Sequence, residues 1–401
     1  MVLLTKFPPD IRVEKELRTL LTEHEIFLLC PRRGGCQDQE MWNGLNVQRV
    51  FSPLARWWNN FCLMTRCFSR GWQQEIGSYI ARNQLDALHV HDLPLLGPAL
   101  RAAQPFKIPV VADLHENYPA MMEESLKVPL ARCSSLGQFT VRLLASAERW
   151  KSFERKMLPR ASAVITVIEE ARERLVREGV RFNSIHVVAN YNQFEAADVS
   201  QGLPERVGKE DKAFRVVYAG GFDVTRDLVT VVDAAALCRK RGMARLEVIL
   251  VGGVGGELEQ MRGYAESKIG DGQVKVLGWI PREEAEELMD SASVGLVPHV
   301  KSAHTDATVP HKLFQYMGRR LPVVVSNCAP LERIVSTSKC GMVYKSGDSQ
   351  ELSDCLWEIY RSPEKARKMG EAGKIAVAER YNWGKAGAVL LKLYQQLFGR
   401  A

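Results

Sequence analysis

The feature that most constrains the fold is an alternation of short apolar runs with longer amphipathic stretches, which continues along almost the whole chain of 401 residues. Helical patterns such as Val13–Leu21 and Phe139–Leu158 separate the runs of the first half. Because apolar runs that alternate with helices are typical of parallel strands buried on both faces, this half predicts a doubly wound sheet. The predicted strands are Val2–Thr5, Ile26–Cys30, Ala87–His91, Val110–Asp113, Ala163–Val167 and Ile185–Ala189.

A second series of strands and helices follows Glu195–Lys212, a stretch rich in glycine, proline and charged residues that we interpret as an interdomain linker. Helical patterns at Leu228–Arg241 and Glu283–Asp290 belong to this series, and Trp383–Phe398 is the last helical pattern of the chain. The predicted strands are Phe214–Ala219, Leu246–Val251, Val274–Leu277, Val294–Val297, Pro322–Ser326 and Gly341–Val343.

The predicted fold class is therefore α/β, with two doubly wound, Rossmann-like domains. We place the first domain at residues 1–200, the second at residues 201–380 and a C-terminal helix at residues 381–401.

Composition excludes several classes of protein. Hydrophobic residues make up 46% and charged residues 25% of the chain, as in ordinary globular proteins. No apolar run is long enough for a transmembrane helix, and the first residues lack a signal-peptide core, so we expect a cytoplasmic protein. The nine cysteines form no Cys-x-x-Cys pair, which argues against disulfides and structural zinc. A net charge of +7 permits an anionic partner such as a phosphorylated substrate or a membrane surface, and we expect no nucleic-acid partner.

Glycines and basic residues follow two strands of the second domain. Gly220 and Gly221 come directly after a predicted strand, and Arg226 stands just before a predicted helix. Glycines let a ligand approach the backbone, and a helix start with an arginine can bind phosphate. The alternative is a glycine-rich turn with a solvated arginine. Gly252 and Gly253 follow the next strand without the G-x-G-x-x-G spacing of NAD sites, and a turn under a nucleotide is the better interpretation.

The stretch Thr308–Ser326 predicts a helix that begins after Pro310 and is followed by a strand. Lys312 falls in the first turn, where a cation opposes the helix dipole unless an anion lies next to it. A bound phosphate would be such an anion. The alternative is an exposed lysine on a helix that only packs on the sheet.

Two predicted strands of the first domain end in ionisable residues, at His91-Asp92 and at His115-Glu116. Because the carboxyl ends of parallel strands meet at one edge of a sheet, these pairs favour a polar functional site. Metal-ligand spacing such as His-x-x-x-His on a helix is absent, so we predict no protein-held metal.

Residues 54–72 interleave arginines with tryptophans and phenylalanines. This composition suits a peripheral membrane contact, here on the inner face of the membrane, because tryptophan and arginine are both favoured at membrane interfaces. The alternative is a buried helix whose aromatic side chains belong to the core.

Taken together, several segments occur in the order and spacing of a known family, and the chain resembles glycosyltransferases of the GT-B fold, family 4. The segments are Phe7–Glu16, His89–Pro94, Asp113–Glu116, Ala163–Val167, Tyr218–Asp227, Gly278–Pro281 and Pro310–Pro322. The resemblance implies transfer of a sugar from a nucleoside-diphosphate sugar with retention of configuration, usually without a metal or other cofactor. It also implies two domains facing a cleft and a last helix that packs back on the first domain.

The resemblance also implies roles for individual residues. Arg226 and Lys312 would hold the donor pyrophosphate, above the loop of Gly220 and Gly221. In the first domain, His115, with Glu116 beside it, would face the transferred sugar. The residues expected on the acceptor side are Pro9, Asp10, His91 and Asp92. The acceptor would be a glycan or a lipid-linked molecule in polysaccharide or glycolipid biosynthesis.

The chain departs from the family pattern at three positions. Gln315 stands where a ribose-binding glutamate is usual, and the second acidic position falls on Ala307, with Asp306 as the neighbouring candidate. Gln keeps an acceptor oxygen but loses a charge-assisted bond. Many members also have arginine at the position of Gly221.

The leading hypothesis is a retaining glycosyltransferase. The departures motivate one alternative, a non-catalytic scaffold of a polysaccharide-assembly complex. The clustered histidines and carboxylates motivate another, a nucleotide-sugar epimerase of the same fold.

Overall fold

The computed structural model describes residues 1–32, 34–127, 144–193, 213–270 and 272–399. The chain divides into two compact units. Unit 1 contains Met1–Asn190 together with Ala386–Ala401, and unit 2 contains Tyr191–Lys385. The predicted linker, Glu195–Lys212, lies wholly outside the described residues. The observed boundary at Asn190 precedes the predicted one because Tyr191 packs on Phe314 and Tyr381 of unit 2.

Unit 1 is built on strands in the order β1-β3-β2 and β4-β5-β6-β7, all parallel except β2, and Val2 bridges both β1 and β4. Its apolar core lies against β4 to β6, whose residues are buried throughout. The strands are β1 (Phe27–Pro31), β2 (Gln39–Trp42), β3 (Leu45–Val50), β4 (Leu88–His91), β5 (Val110–Leu114), β6 (Ala163–Thr166) and β7 (Ile185–Val187).

Two predictions for this sheet differ from the structure. The predicted strand Val2–Thr5 is reduced to bridges at Val2, because the chain bends at Leu4–Thr5 before it reaches the prolines that follow. The antiparallel pair of β2 and β3 was not predicted. It turns at Asn43-Gly44, both with positive φ, which is the Asn-Gly signal of a two-residue hairpin.

Helices cover unit 1, and one of them departs from its predicted length. The predicted helix Phe139–Leu158 lies partly outside the described residues. Within them the chain is not helical at Ala145 and Ser146, where Ser146 caps the helix Ala147–Met157, so the prediction of one continuous helix is wrong there. The helices are α1 (Ile11–Leu20), α2 (Pro53–Arg66), α3 (Arg70–Asn83), α4 (Leu93–Ala103), α5 (Tyr118–Lys127), α6 (Ala147–Met157) and α7 (Glu169–Arg177).

Unit 2 contains one parallel sheet in the order β10-β9-β8-β11-β12-β13, the doubly wound order with its reversal point between β8 and β11. Ligands of such sheets bind beyond the carboxyl ends of the strands near this point. The strands are β8 (Phe214–Ala219), β9 (Leu246–Gly253), β10 (Val274–Gly278), β11 (Val294–Val297), β12 (Val323–Ser326) and β13 (Gly341–Tyr344). The predicted α/β class with parallel sheets in two domains is confirmed.

The helices of unit 2 alternate with these strands. They are α8 (Leu228–Lys240), α9 (Gly255–Lys268), α10 (Arg282–Ser291), α11 (His311–Gly318), α12 (Ala329–Ser338), α13 (Ser349–Arg361) and α14 (Pro363–Glu379). The last helix, α15 (Trp383–Leu397), carries Tyr394 and Leu393 in the residues that group with unit 1. Within the described ranges, no helix has both the length and the hydropathy needed to cross a membrane.

Candidate functional site

Two glycines with positive φ bring the loop after β8 close to the carboxyl end of β9 in unit 2. Gly220 has φ +150° and Gly252 has φ +108°. A Cβ on Gly252 would lie 2.7 Å from the carbonyl oxygen of Gly220, and a Cβ on Gly220 would clash with Nζ of Lys312. Next to them, the hydroxyl of Tyr218 donates to the carbonyl of Gly221 at 2.6 Å, and Gly253 packs against the ring of Phe222. The loop therefore leaves room for Lys312 only because residue 220 lacks a side chain.

Lys312 is a buried cation at the start of α11. The residue is only 9% exposed, and its Nζ lies 3.7 Å from the centroid of the Tyr218 ring. Burial, and next the charge of Arg226, hold the pKa of Lys312 well below its ordinary value. An anion beside the ammonium group would offset both effects. The alternative of an exposed lysine is wrong.

Arg226 lies between a carboxylate and a histidine that the sequence analysis missed. Its Nη1 donates to Nε2 of His299 at 2.8 Å, and its Nε lies 3.4 Å from Oδ2 of Asp223. Burial, followed by the charges of Arg226 and Lys312, holds the pKa of His299 well below its ordinary value. A neutral histidine therefore accepts from the arginine. His299 could have been found from sequence, because it follows the end of β11 as the other candidates follow their strands.

The start of α8 differs from its prediction. The helix begins at Leu228, and Oδ1 of Asp227 accepts the backbone N–H of Thr230 at 3.4 Å. Oδ2 of the same carboxylate accepts the N–H of Gly347 at 2.9 Å. The expectation that this helix offers its first N–H groups to an anion is therefore wrong for Thr230. The start of α11 follows Pro310, whose side chain cannot cap a helix.

Two of the three positions that depart from the family pattern, Gln315 and Ala307, lie in or close to α11 in the sequence. Gln315 is half-buried in α11, three residues after Lys312, so the two side chains leave the helix on the same side. Ala307 is buried. Oδ1 of Asp306 accepts the N–H of Ala329 at 2.7 Å, at the start of α12, and lies 3.5 Å from Nζ of Lys301.

Three histidines of unit 1 surround one carboxylate, that of Asp113. His91 on β4 stands in register with Asp113 on β5, and His89 points to the same face of the sheet as His91. Oδ2 of Asp113 lies 3.3 Å from Nε2 of His89, from Nδ1 of His91 and from Nε2 of His115. We call these four residues the histidine cluster. All but His115 are buried, and His115 is 20% exposed.

Helix α1 supplies an ion pair to this cluster. Arg12 lies 2.8 Å from Oδ1 of Asp113 and 3.0 Å from Oε1 of Glu16, and it also donates to the carbonyl of Val188. Burial raises the pKa of Glu16 to about 8 in spite of Arg12, whereas Arg12 and His115 overcome burial and hold the pKa of Asp113 well below its usual range.

One set of side chains in this region has the spacing of metal ligands. Glu16, His89, His91 and Asp113 present ligand atoms within 4.8 Å of one another. Arg12 already gives both carboxylates a positive partner, so we assign the set as an ion-pair and hydrogen-bond network. The expectation that the protein holds no metal stays a prediction.

His115 is surrounded by charge. Its Nδ1 lies 3.7 Å from Oδ1 of Asp92, and its Nε2 contacts Asp113. Burial would lower the pKa of His115, but Asp92 and Asp113 outweigh it and raise that pKa to about 9. Asp92 has φ 66° and ψ 150°, a region normally reserved for glycine, and such backbones cluster at functional sites. Glu116, the expected companion of His115, is exposed.

The residues expected on the acceptor side are spread over different environments. Pro9 is exposed, and Asp10 caps α1 by accepting the N–H of Val13 at 3.2 Å. His91 is buried, and its Nδ1 contacts His115 at 3.1 Å as well as Asp113. Asp92 is the acceptor-side candidate whose carboxylate lies next to His115.

The segment 54–72 combines features of both interpretations given above. It forms α2 and the start of α3, which meet at Cys67, a residue with positive φ. Trp72 is part of the core. Trp57 is 48% and Trp58 is 53% exposed, and both stack on Phe61.

Comparison with known families divides the chain into two parts. Residues 15–191 match the family described as "Glycosyl transferase 4-like domain". Residues 200–376 match the family described as "Glycosyl transferases group 1". The first match covers the histidine cluster, and the second covers Arg226 and Lys312.

Two bacterial glycosyltransferases match the chain at low sequence identity. The chain is 23% identical over 218 residues to the "Putative glycosyltransferase EpsD" of Bacillus subtilis, which is 53% of this chain and 55% of that protein. The chain thus spans about half the length of this relative. It is 22% identical over 317 residues to the "MMP alpha-(1->4)-mannosyltransferase" of Mycolicibacterium hassiacum, covering 78% of this chain and 71% of that protein.

Solved structures share the fold at low identity. Sucrose-phosphate synthase from Thermosynechococcus elongatus superposes with a TM-score of 0.73 at 18% identity, over 98% of this chain and 94% of that one. HepE from Anabaena in complex with UDP-glucose superposes with a TM-score of 0.67 at 15% identity, over 98% of each chain. With the two family matches, which together cover most of the chain, these likenesses show that the protein belongs to the glycosyltransferases of the GT-B fold.

Proposed function

We propose that the protein transfers a sugar from a nucleoside-diphosphate sugar to a glycan or lipid-linked acceptor, with retention of anomeric configuration, in polysaccharide or glycolipid biosynthesis. The observation that carries the proposal is the buried Lys312 beside Arg226, at the carboxyl ends of the strands of unit 2. A structural neighbour, HepE, is described in complex with UDP-glucose, which supports a donor of this class.

The proposed role of these cations follows from the charge of the reaction. Breaking the glycosidic bond to a diphosphate leaves negative charge on the leaving group while positive charge develops on the sugar. Fixed cations in a water-poor site stabilise such charge with little reorganisation. Lys312 and Arg226 would serve the leaving diphosphate, and the proposal assigns no cofactor besides the donor.

Unit 1 would contribute His115. Its imidazole carries a positive charge below its raised pKa of about 9, and the cluster behind it fixes its position. We propose that it contacts the transferred sugar, and we assign no residue as a nucleophile.

A nucleotide screen tests the donor assignment. A nucleoside diphosphate present at 100 times its Kd should stabilise the protein by about 2.7 kcal/mol, and calorimetry should give the Kd itself. Gln315→Glu should tighten binding by about 1 kcal/mol, the difference between a neutral and a charged hydrogen bond to a ribose hydroxyl. Binding without donor hydrolysis or transfer would favour the scaffold, and absence of any nucleotide binding would contradict the proposal. NMR of the product should show the anomeric configuration of the donor.

We further propose that the protein contacts the inner face of a membrane through α2. The aromatic patch, defined as Leu54, Trp57, Trp58 and Phe61, recurs at helical spacing on one face of α2. Leu54 is exposed together with both tryptophans. Residues 54–72 contain three arginines and no acidic residue, which suits an anionic lipid surface.

Vesicle sedimentation tests this contact. Binding should rise with the fraction of anionic lipid and fall with salt, because each arginine near the surface contributes about 1 kcal/mol. Trp57→Ser with Trp58→Ser should weaken binding at least about tenfold by removing inserted aromatic area. Trp279→Ser, which removes an exposed tryptophan of unit 2, is the matched control and should have no effect. Equal binding of all three proteins would contradict the proposal.

A further inference from the structure

A buried path of hydrogen bonds joins the last helix of the chain to His115. The hydroxyl of Tyr394 lies 2.8 Å from Nδ1 of His89. Nε2 of His89 lies 3.3 Å from Oδ2 of Asp113, and the same oxygen lies 3.3 Å from Nε2 of His115. Tyr394 belongs to the residues that group with unit 1, and it is buried, as are His89 and Asp113.

The chemistry of these atoms fixes where the protons lie. Asp113 forms an ion pair with Arg12, and an ionised carboxylate only accepts hydrogen bonds. Nε2 of His89, which faces it, must therefore carry a hydrogen. A neutral imidazole with hydrogen on Nε2 has an acceptor at Nδ1, so the hydroxyl of Tyr394 is the donor. Burial lowers the pKa of His89, in agreement with a neutral ring.

Because three imidazole rings share Oδ2 of Asp113, a change at His89 alters the contact between Asp113 and His115. Oδ2 of Asp113 faces three imidazole nitrogens at 3.3 Å, and His115 has a second contact to Nδ1 of His91 at 3.1 Å. The direction in which His115 points thus depends on how strongly Asp113 is engaged by the other rings. If His89 changed its tautomer, its Nε2 would lose the hydrogen and face the carboxylate of Asp113 lone pair to lone pair. The ring of His89 and the carboxylate of Asp113 would then move apart.

We propose that Tyr394 is a positioning residue whose hydroxyl, by fixing the tautomer of His89 and through it the carboxylate of Asp113, orients the imidazole of His115. The inference rests on the function proposed for His115 in sugar transfer. It gives the last helix a part in the reaction, although no atom of Tyr394 touches His115.

Tyr394→Phe tests the proposal because it removes one hydroxyl and keeps the ring. Tyr79→Phe is the matched control: Tyr79 is a buried tyrosine of the same unit whose hydroxyl donates to the carbonyl of Leu28, away from the cluster. The chain has eight histidines, so nitrogen-15 labelling of histidine gives a spectrum that single histidine variants can assign. Tyr394→Phe should move the two ring-nitrogen shifts of His89 toward each other and shift the ring signals of His115. Tyr79→Phe should change neither.

Kinetics provide the second readout. Tyr394→Phe should lower kcat about three- to tenfold, the worth of one neutral hydrogen bond, and leave KM for the donor within about twofold. Because both residues act along one path, the double variant with His89→Gln should be no slower than His89→Gln alone, within about twofold. Additive losses, or unchanged ring signals of His89 and His115 in Tyr394→Phe, would overturn the proposal.

The two readouts also separate this inference from the proposed function. The nitrogen shifts report the path whether or not the protein transfers sugar. If they change as expected while His115→Ala retains full turnover, the path exists and the proposed role of His115 fails. If His115→Ala loses turnover and the shifts stay unchanged, the role of His115 stands and the path through Tyr394 is refuted.

Discussion

Replacing His115 with alanine should lower kcat about 100- to 1,000-fold, the loss typical of a positioned group that acts on charge in the transition state. The affinity for a nucleoside diphosphate should stay within about threefold of wild type, because the binding residues belong to the other unit. Single-turnover kinetics and calorimetry measure the two quantities. A large loss of nucleotide affinity with normal turnover would contradict the assignment.

The pH dependence of turnover provides the control for this role. The carboxylates of Asp92 and Asp113 raise the pKa of His115 to about 9 against the effect of burial. If the charged imidazole is the active form, kcat is complete at neutral pH and falls as the pH rises through about 9. Asp92→Asn removes one carboxylate, leaves the ion pair of Arg12 intact and should move this falling limb to lower pH. An unmoved limb would show that another group titrates.

The second large effect concerns Lys312, whose substitution should affect binding and stability in opposite directions. Lys312→Met should weaken binding of a nucleoside diphosphate by about 1.5–3 kcal/mol, the worth of a charged hydrogen bond. The free energy of unfolding of the ligand-free protein should stay equal or increase, because a desolvated charge is replaced by an apolar side chain of similar length. Calorimetry and chemical denaturation measure the two effects.

The sign of the pH dependence follows from linkage. Since burial and Arg226 lower the pKa of Lys312 in the folded state, the unfolded chain binds more protons between that pKa and 10.5. Stability of the wild type should therefore rise with pH across this window, and Lys312→Met should lack that part of the rise. Lys365→Met, which removes a partly exposed lysine paired with Glu358 on the surface, is the control and should change neither stability nor binding. A loss of stability in Lys312→Met equal to its loss of affinity would refute the functional role.

The sequence predicted most strands because buried parallel strands are locally distinctive. The core strands Val110–Leu114 and Val323–Ser326 are apolar along nearly their whole length, so the pattern needs no partner to be seen. The hairpin of β2 and β3 was not predicted because β2 alternates exposed and half-buried residues and contains Gln39 and Glu40. Its signal was the turn, Asn43-Gly44, and not the strands.

The candidate site was predictable where position in a local element determines it. His115 follows a strand, and the rule that ligands gather at the carboxyl ends of strands was enough to single it out. Lys312 was singled out because a cation in the first turn of a helix opposes the helix dipole. Arg12, Glu16 and Tyr394 reach the cluster from helices, and Tyr394 is 305 residues away from its partner His89. Helix α1 has the sequence of an exposed amphipathic helix, yet Arg12 and Glu16 are buried. Pairings of this kind depend on tertiary packing, which a local pattern does not contain.

The buried ion pair of Arg12 with Asp113 has a consequence for how this unit can evolve. Removing one member of a buried charged group leaves its partner uncompensated and costs about 3–5 kcal/mol, whereas replacing the whole group by apolar residues is often neutral or favourable. Each single replacement therefore gives a much less stable protein, although the original sequence and the fully apolar sequence are both stable. Descendants should therefore keep Arg12 and Asp113 together or lose them together, because the loss of either one alone costs more stability than the loss of both.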